Sequence, residues 1–262
     1  MKNVFTFLLL LFSLLCNGQS PKLFTTDKEL SSSLINQIYQ DRNGFIWIAT
    51  EDGLNRYDGA KFTIYKHEPN NEHSLAHNFV RTVFEDSKGH LLIGTYIGIQ
   101  MYDPATDNFT PLAKLEDTGE TLESNINSFI ERKNGEIWVS GNVLCKLDIK
   151  DHLLTVRKVD IAVTSPGSLF EDKKQNVWMA KGEEGVYQLT PDNQLTLHLS
   201  KDNGYVKSIC EDQRGNIYVG SIRKGLFIYD KERKTFVPID LKEKGELPVC
   251  FLYSGIPNEL YI

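Results

Sequence analysis

The chain has 262 residues, 40% hydrophobic and 24% charged, an ordinary balance for one large globular domain or two small ones. A net charge of -6 leaves no electrostatic footprint for nucleic acid. Fourteen Phe, eleven Tyr and three Trp favour strands over helices.

The first segment reads as an export signal. Lys2 gives a positive start, Val4 to Leu15 is an apolar run of twelve residues, and the small residues Cys16 and Gly18 follow. That layout predicts a secretory signal peptide over residues 1–18, cleaved after Gly18. Twelve apolar residues are too few to span a bilayer. Cys16 also suggests a lipoprotein anchor, although bulky Leu15 stands where a small residue is wanted.

Residues 19–262 are organised by an internal repeat. In the first copy, Ile35 to Gln40 is the first predicted strand. "DRNG" closes a tight turn, with Asp41 at its start and Gly44 supplying positive φ. Phe45 to Thr50 is the second strand, "EDG" turns the chain at Gly53, and Leu54 to Tyr57 is the third. Asp58–Gly59 is a two-residue hairpin signal, and Lys61 to Lys66 is the fourth strand. The polar loop "HEPNNEHSLAHN" leads onward.

The pattern "IYQDRNGFIWIATEDGLNRYD" from Ile38 returns from Val83, Phe129, Leu169 and Ile209, and a sixth copy runs from Val249 to Ile262. Trp47, Leu92, Trp138, Trp178, Tyr218 and Tyr261 each stand three residues after the turn residue, at separations of 45, 46, 40, 40 and 43. The turn residue is Gly44, Gly89, Gly135 and Gly215 in four copies, with Gln175 and Asn258 in the others. Gln tolerates a left-handed backbone less readily than Asn, which predicts that copy four is the most irregular.

Four antiparallel strands recurring every 40 to 46 residues predict an all-β fold, a β-propeller of four-stranded blades starting near 35, 80, 126, 166, 206 and 249. One such sheet cannot bury both faces alone. Trp47 and its equivalents are expected to fill the wedge between neighbouring sheets. Each removes roughly 150–250 Å² from water, worth roughly 4–6 kcal/mol before entropy costs. Ala49, Gly94, Ser140 and Gly220 suit the crowded part of a blade. A β-sandwich is the competing fold, but it needs no 40-residue repeat.

"DRNGFIWIATEDGLNRYDG" and "EDSKGHLLIGTYIGIQMYD" resemble the two-component regulator propeller repeat, over roughly residues 30 to 262. The resemblance implies the periplasmic sensor region of a hybrid two-component histidine kinase of Bacteroidetes type. It implies a small-molecule or oligosaccharide ligand, a homodimer in the full-length sensor, and a membrane link only through a downstream segment. The sequence departs from that pattern in having no second apolar span, kinase motif or receiver, and it stops inside a copy at "NELYI". A seven-bladed ring at about 42 residues a blade needs roughly 295 residues of repeat. The expectation is therefore a fragment: five complete blades plus a partial sixth of an incomplete seven-bladed ring. A closed five-bladed ring with a closing strand is the alternative.

No G-x-S-x-G, Walker A or H-E-x-x-H pattern occurs. No catalytic residue, cofactor or metal site is assigned, and the ligand-binding residues are left unknown. His67, His73 and His77 share one loop, but spacings of six and four fit no standard zinc motif. Glu85–Asp86, Glu171–Asp172 and Glu211–Asp212 recur at the same hairpin, which argues for a structural duty. Tyr96, in "GTYIG", is a conceivable sugar platform, though a packed blade residue is the plainer reading. Cys145, Cys210 and Cys250 read as small buried hydrophobes, and an odd register offset disfavours a Cys210–Cys250 disulfide. The leading function is a sensory binding module. The alternatives are an exported propeller enzyme, lyase or glycosidase, acting on polysaccharide, and a free-standing scaffold.

Overall fold

The structure, a computed structural model, describes residues 23–26, 29–199, 204–240 and 249. The expected signal peptide, and the sixth copy beyond Val249 with Cys250, Asn258 and Tyr261, lie outside the described residues. Twenty-one strands form five sheets, and no helix occurs among the described residues.

The first sheet contains β1 (Ile35–Gln40), β2 (Ile46–Thr50), β3 (Gly53–Tyr57) and β4 (Phe62–Tyr65), in that order. The second contains β5 (Val80–Glu85), β6 (Leu91–Thr95), β7 (Ile99–Asp103) and the two-residue β8 (Asn108–Phe109). The chain then makes β9 (Lys114–Leu115) before β10 (Ser128–Glu131), β11 (Ile137–Ser140), β12 (Leu144–Lys150) and β13 (Leu153–Lys158). The fourth sheet is β14 (Leu169–Glu171), β15 (Val177–Lys181), β16 (Gly185–Leu189) and β17 (Leu195–Leu199). The fifth is β18 (Val206–Glu211), β19 (Ile217–Ser221), β20 (Gly225–Asp230) and β21 (Thr235–Pro238).

Two details correct the sequence reading. The third sheet has five strands, because β9 pairs in parallel with β13 through Thr155–Lys114 and Val156–Leu115. The loop at Asp58–Gly59 spans four residues, since the ladder ends at Tyr57–Phe62. The Asp58 carboxylate accepts the amides of Ala60 and Lys61, both at 2.8 Å, and that stabilises the longer loop.

Copy four is not the irregular one. Gln175 takes φ 66 where the glycines take 78 to 94. Its turn closes like the rest, with the Gln175 amide donating to Asp172 O at 2.9 Å. The Asp172 side chain holds the turn regardless of which residue takes the left-handed position. Its Oδ1 accepts the amides of Lys174 at 2.8 Å and Asn176 at 2.9 Å. Asp41, Asp86 and Asp212 do the same in their copies.

The first strands run side by side inside the molecule, β1 against β5, β5 against β10, β10 against β14 and β14 against β18. The sheets fan outward from them, and the core is a series of slabs, one between each consecutive pair. Trp47, Ala49 and Leu54 of the first sheet meet Val80, Val83 and Ile93 of the second. Trp178, Ala180 and Val186 of the fourth meet Val206, Ile209 and Val219 of the fifth. The small residue after each aromatic has a specific occupant. A Cβ at Gly94 would come 2.6 Å from Ile126 Cγ2, and one at Gly220 would come 2.5 Å from Val249 Cγ1. Ile126 belongs to the connection that leads into β10.

Each face that receives a preceding sheet is buried: Val83 is 1% exposed, Phe129 6%, Leu169 6% and Ile209 9%. The equivalent residue of the first sheet, Ile38, is 61% exposed, and Ile64, on the same cross-strand row at the sheet's other edge, is 45% exposed.

Candidate ligand-binding rim

The two ends of the sheets differ. One end carries the Asp turns, and there the paired carboxylates divide their work. The Asp ties its own turn, while the Glu before it accepts the turn amide of the preceding sheet. Arg42 N donates to Glu85 at 2.8 Å, Ser87 N to Glu131 at 2.7 Å, Lys133 N to Glu171 at 2.6 Å and Lys173 N to Glu211 at 3.1 Å. Arg42 adds an ion pair to Glu85 at 2.6 Å, and Arg132 one to Glu171 at 2.9 Å. This end is stapled shut by groups that have partners, in keeping with a structural duty.

The other end is a rim of loops. At each sheet, the turn between the second and third strands bonds to the connection arriving from a neighbouring sheet. Gly53 N donates to Asn78 O at 2.6 Å, Tyr96 N to Phe79 O at 3.0 Å and Ile222 N to Tyr205 O at 2.9 Å. Ser124 N donates to Ile97 O at 3.3 Å and Ser165 N to Asn142 O at 3.1 Å. Backbone bonds therefore fix the rim, and side chains such as Asn78, which donates to Asp52 at 3.0 Å, and Ser124, which accepts the Asn142 amide at 3.0 Å, add to them.

Tyr96 stands in that rim, 53% exposed. The plainer expectation, a packed blade residue, is corrected: the β6–β7 turn lifts the ring out of the slab. The turn is tight because Thr95 Oγ1 donates to Gly98 O at 3.1 Å. A Cβ at Gly98, whose φ is 158, would press to 2.8 Å from Leu112 Cδ2 and 2.9 Å from Leu122 O. His77 lies 5.5 Å from the Tyr96 ring at 39°, and Phe79 6.1 Å away at 56°. His77 Nδ1 accepts the Phe79 amide at 2.9 Å, which leaves Nε2–H as the free donor of a neutral ring. Arg81 carries its guanidinium carbon 5.4 Å from the Phe79 ring centre. A second rim aromatic, Tyr205, is 44% exposed and close against Gly182.

Beside this cluster, past Ile97 and Ser124, opens a groove of about 740 Å³ lined by Lys114, Glu120, Glu123, Asn142, Val143 and Lys158. Its lining joins apolar Leu115, Leu122 and Val143 to Asn142 and charges of both signs, which suits a polar ligand.

The three loop histidines do not converge. His67 Nδ1 bonds Leu75 O at 2.9 Å and His73 Nδ1 bonds Phe109 O at 3.1 Å, while only His77 reaches the rim. Among the described residues no group of three His, Cys, Asp or Glu is placed to hold a metal ion. Cys145 and Cys210 are buried, and burial pushes the Cys145 thiol up to about 11. The partnership of Phe79 and Arg81 with Tyr96 was missed in the sequence. Its one signal was the run of non-repeating residues from 67 to 81, with a cation directly after Val80.

Residues 29–52, 74–96 and 200–223 match the family described as two component regulator propeller. Over 83 residues, 29% of the chain, the sequence is 37% identical to histidine kinase P4 of Formosa agariphila, and the match spans 6% of that protein. The fold is similar to the extracellular domain of a B. thetaiotaomicron protein described as a hybrid two component system. The TM-score is 0.68 at 18% identity, covering 86% of this chain and 34% of that one. It is also similar to a catalytically inactive virginiamycin B lyase from Staphylococcus aureus, with TM-score 0.61 at 13% identity, covering 86% of this chain and 74% of that one. At these identities the structural likeness speaks to fold. The chain spans about a third of the first solved relative and a small part of the histidine kinase.

Proposed function

For a chain that carries two-component regulator propeller repeats, we propose the role of an exported sensory module that binds an oligosaccharide in the periplasm and reports to a histidine kinase. The observation that carries this reading is Tyr96, an aromatic plane held out of the core with His77 and Phe79 around it. A sugar presents axial C–H groups to such a plane and hydroxyls to its polar neighbours. The stapled end keeps the sheets in register, so occupancy at the rim is felt by two consecutive sheets together. Signalling then needs the ligand to bind one arrangement of the sensor better than another, and a homodimer across the membrane is the simplest reader of that difference.

The test is a glycan-array screen of the mature chain, with Tyr96→Ala as control. Retained glycans that the variant no longer holds, at unchanged thermal midpoint, are the expected result. No glycan held by the parent chain sinks the reading. Cleavage of a retained glycan would replace it with an exported lyase or glycosidase.

A further inference from the structure

Arg81 is the second residue of β5, on an innermost strand. The repeat places Asn36, Asn127, Gly167 and Lys207 at the equivalent positions. Two of these are committed to neighbouring backbone: Asn36 donates to Val80 O at 2.8 Å, and Asn127 to Pro166 O at 3.1 Å. Arg81 is not. Its Nε is buried without an acceptor, and its nitrogens have no hydrogen-bond or ion-pair partner among the described residues. The face of Phe79, 5.4 Å from the guanidinium carbon, orients the group without neutralising it.

Neither the Arg81 position nor the next one, occupied by Gln37, Thr82, Ser128, Ser168 and Ser208, holds an acid in any of the five copies. Yet the chain is acidic overall, at net charge -6, and its other inter-sheet arginines have acids: Arg42 with Glu85, Arg56 with Asp107, Arg132 with Glu171. A half-buried guanidinium without its own acid loses hydration, and the ring face returns only part of that cost.

We propose that Arg81 anchors an oxyanion, carboxylate or sulfate, on the ligand whose ring lies on Tyr96. Both residues border Phe79, so one short acidic saccharide reaches the plane and the cation. This rests on the saccharide reading above and adds that the ligand is acidic.

Calorimetry of the mature chain with cellotetraose, tetragalacturonate and a sulfated galactan tetrasaccharide tests it. Either acidic probe should bind tighter than the neutral one, and the stronger of the two names the anion. Arg81→Gln should weaken that binding about 10- to 100-fold, the loss of a charge-assisted contact. Arg81→Lys should keep part of it, and high salt should weaken the parent's binding. Cellotetraose bound as well as the acids, with Arg81→Gln silent, overturns the anchor and leaves the saccharide reading standing. No binding of any probe overturns both. Should Arg81→Gln fail to fold, salt decides: acid binding indifferent to salt overturns the anchor.

Discussion

The indole nitrogen of Trp47 donates to the carboxylate of Asp41 at 2.8 Å, and Trp178 makes the same bond to Asp172 at 2.9 Å. One acid thus closes a turn with Oδ1 and holds the largest core residue of its sheet with Oδ2. The turn and the slab behind it are one unit.

Asp172→Ala leaves a buried indole N–H and two turn amides without acceptors, at a cost of about 3 kcal/mol. Trp178→Phe removes the donor from the other side. In urea unfolding the double variant should cost about 1 kcal/mol less than the two single changes together. Strict additivity would show that the bond contributes nothing to coupling turn and core.

The third copy has Arg132 where the others have Asp, and Glu136 accepts its tryptophan instead, with Trp138 Nε1 donating at 3.1 Å. The hydrogen bond from Lys146 holds Glu136 down to about 2 despite the opposing effect of burial. A lowered carboxylate contributes stability that is present above its unfolded value, about 4.3, and is lost as pH falls through about 2. Lys146→Met should move the midpoint of the Glu136 carboxyl titration, followed by NMR, up toward about 4.3. It should also flatten the stability loss between those pH values. A titration unchanged by the substitution would remove Lys146 as the cause.

Gly94→Ala forces a methyl to within 2.6 Å of Ile126 and Thr82 and should cost about 1–3 kcal/mol. Ile126→Ala in the same chain should cost less than it does alone, because it makes room for that methyl. Gly44→Ala is the contrast: nothing lies within 4 Å, and only its φ of +89 resists, about 1–2 kcal/mol. A Gly44→Ala loss that Ile126→Ala relieves equally would mean that crowding is not the reason for Gly94.

Ile38 and Val83 hold the same place in the repeat, with exposures of 61% and 1%. Val83→Thr buries a hydroxyl without an assured partner and should cost about 1–3 kcal/mol. Ile38→Thr should stay within about 0.5 kcal/mol. Equal losses in thermal unfolding would show that the first sheet's outer face is covered in solution.

The repeat, the strands and the turns were all legible in the residues, because each rests on local chemistry. Alternating apolar residues define a strand, Asp and Gly at fixed offsets close a turn, and a period near 40 leaves each sheet one face short of cover. β1 emerged at its expected limits, while strand ends and the Asp58 loop shifted and the turn at Gln175 proved regular. The partners across sheets were not legible. Lys114 and Leu115 carry no strand pattern and pair with β13 only because the connection happens to pass its edge. Phe79 and Arg81 flank the start of β5, and Tyr96 follows β6; the pairing of Val80 with Thr95 brings them to one end of the second sheet, and His77 joins them from the connecting loop. Ile38 and Val83 have the same local pattern and opposite burial, since exposure is a property of the neighbouring surface and no residue encodes that alone.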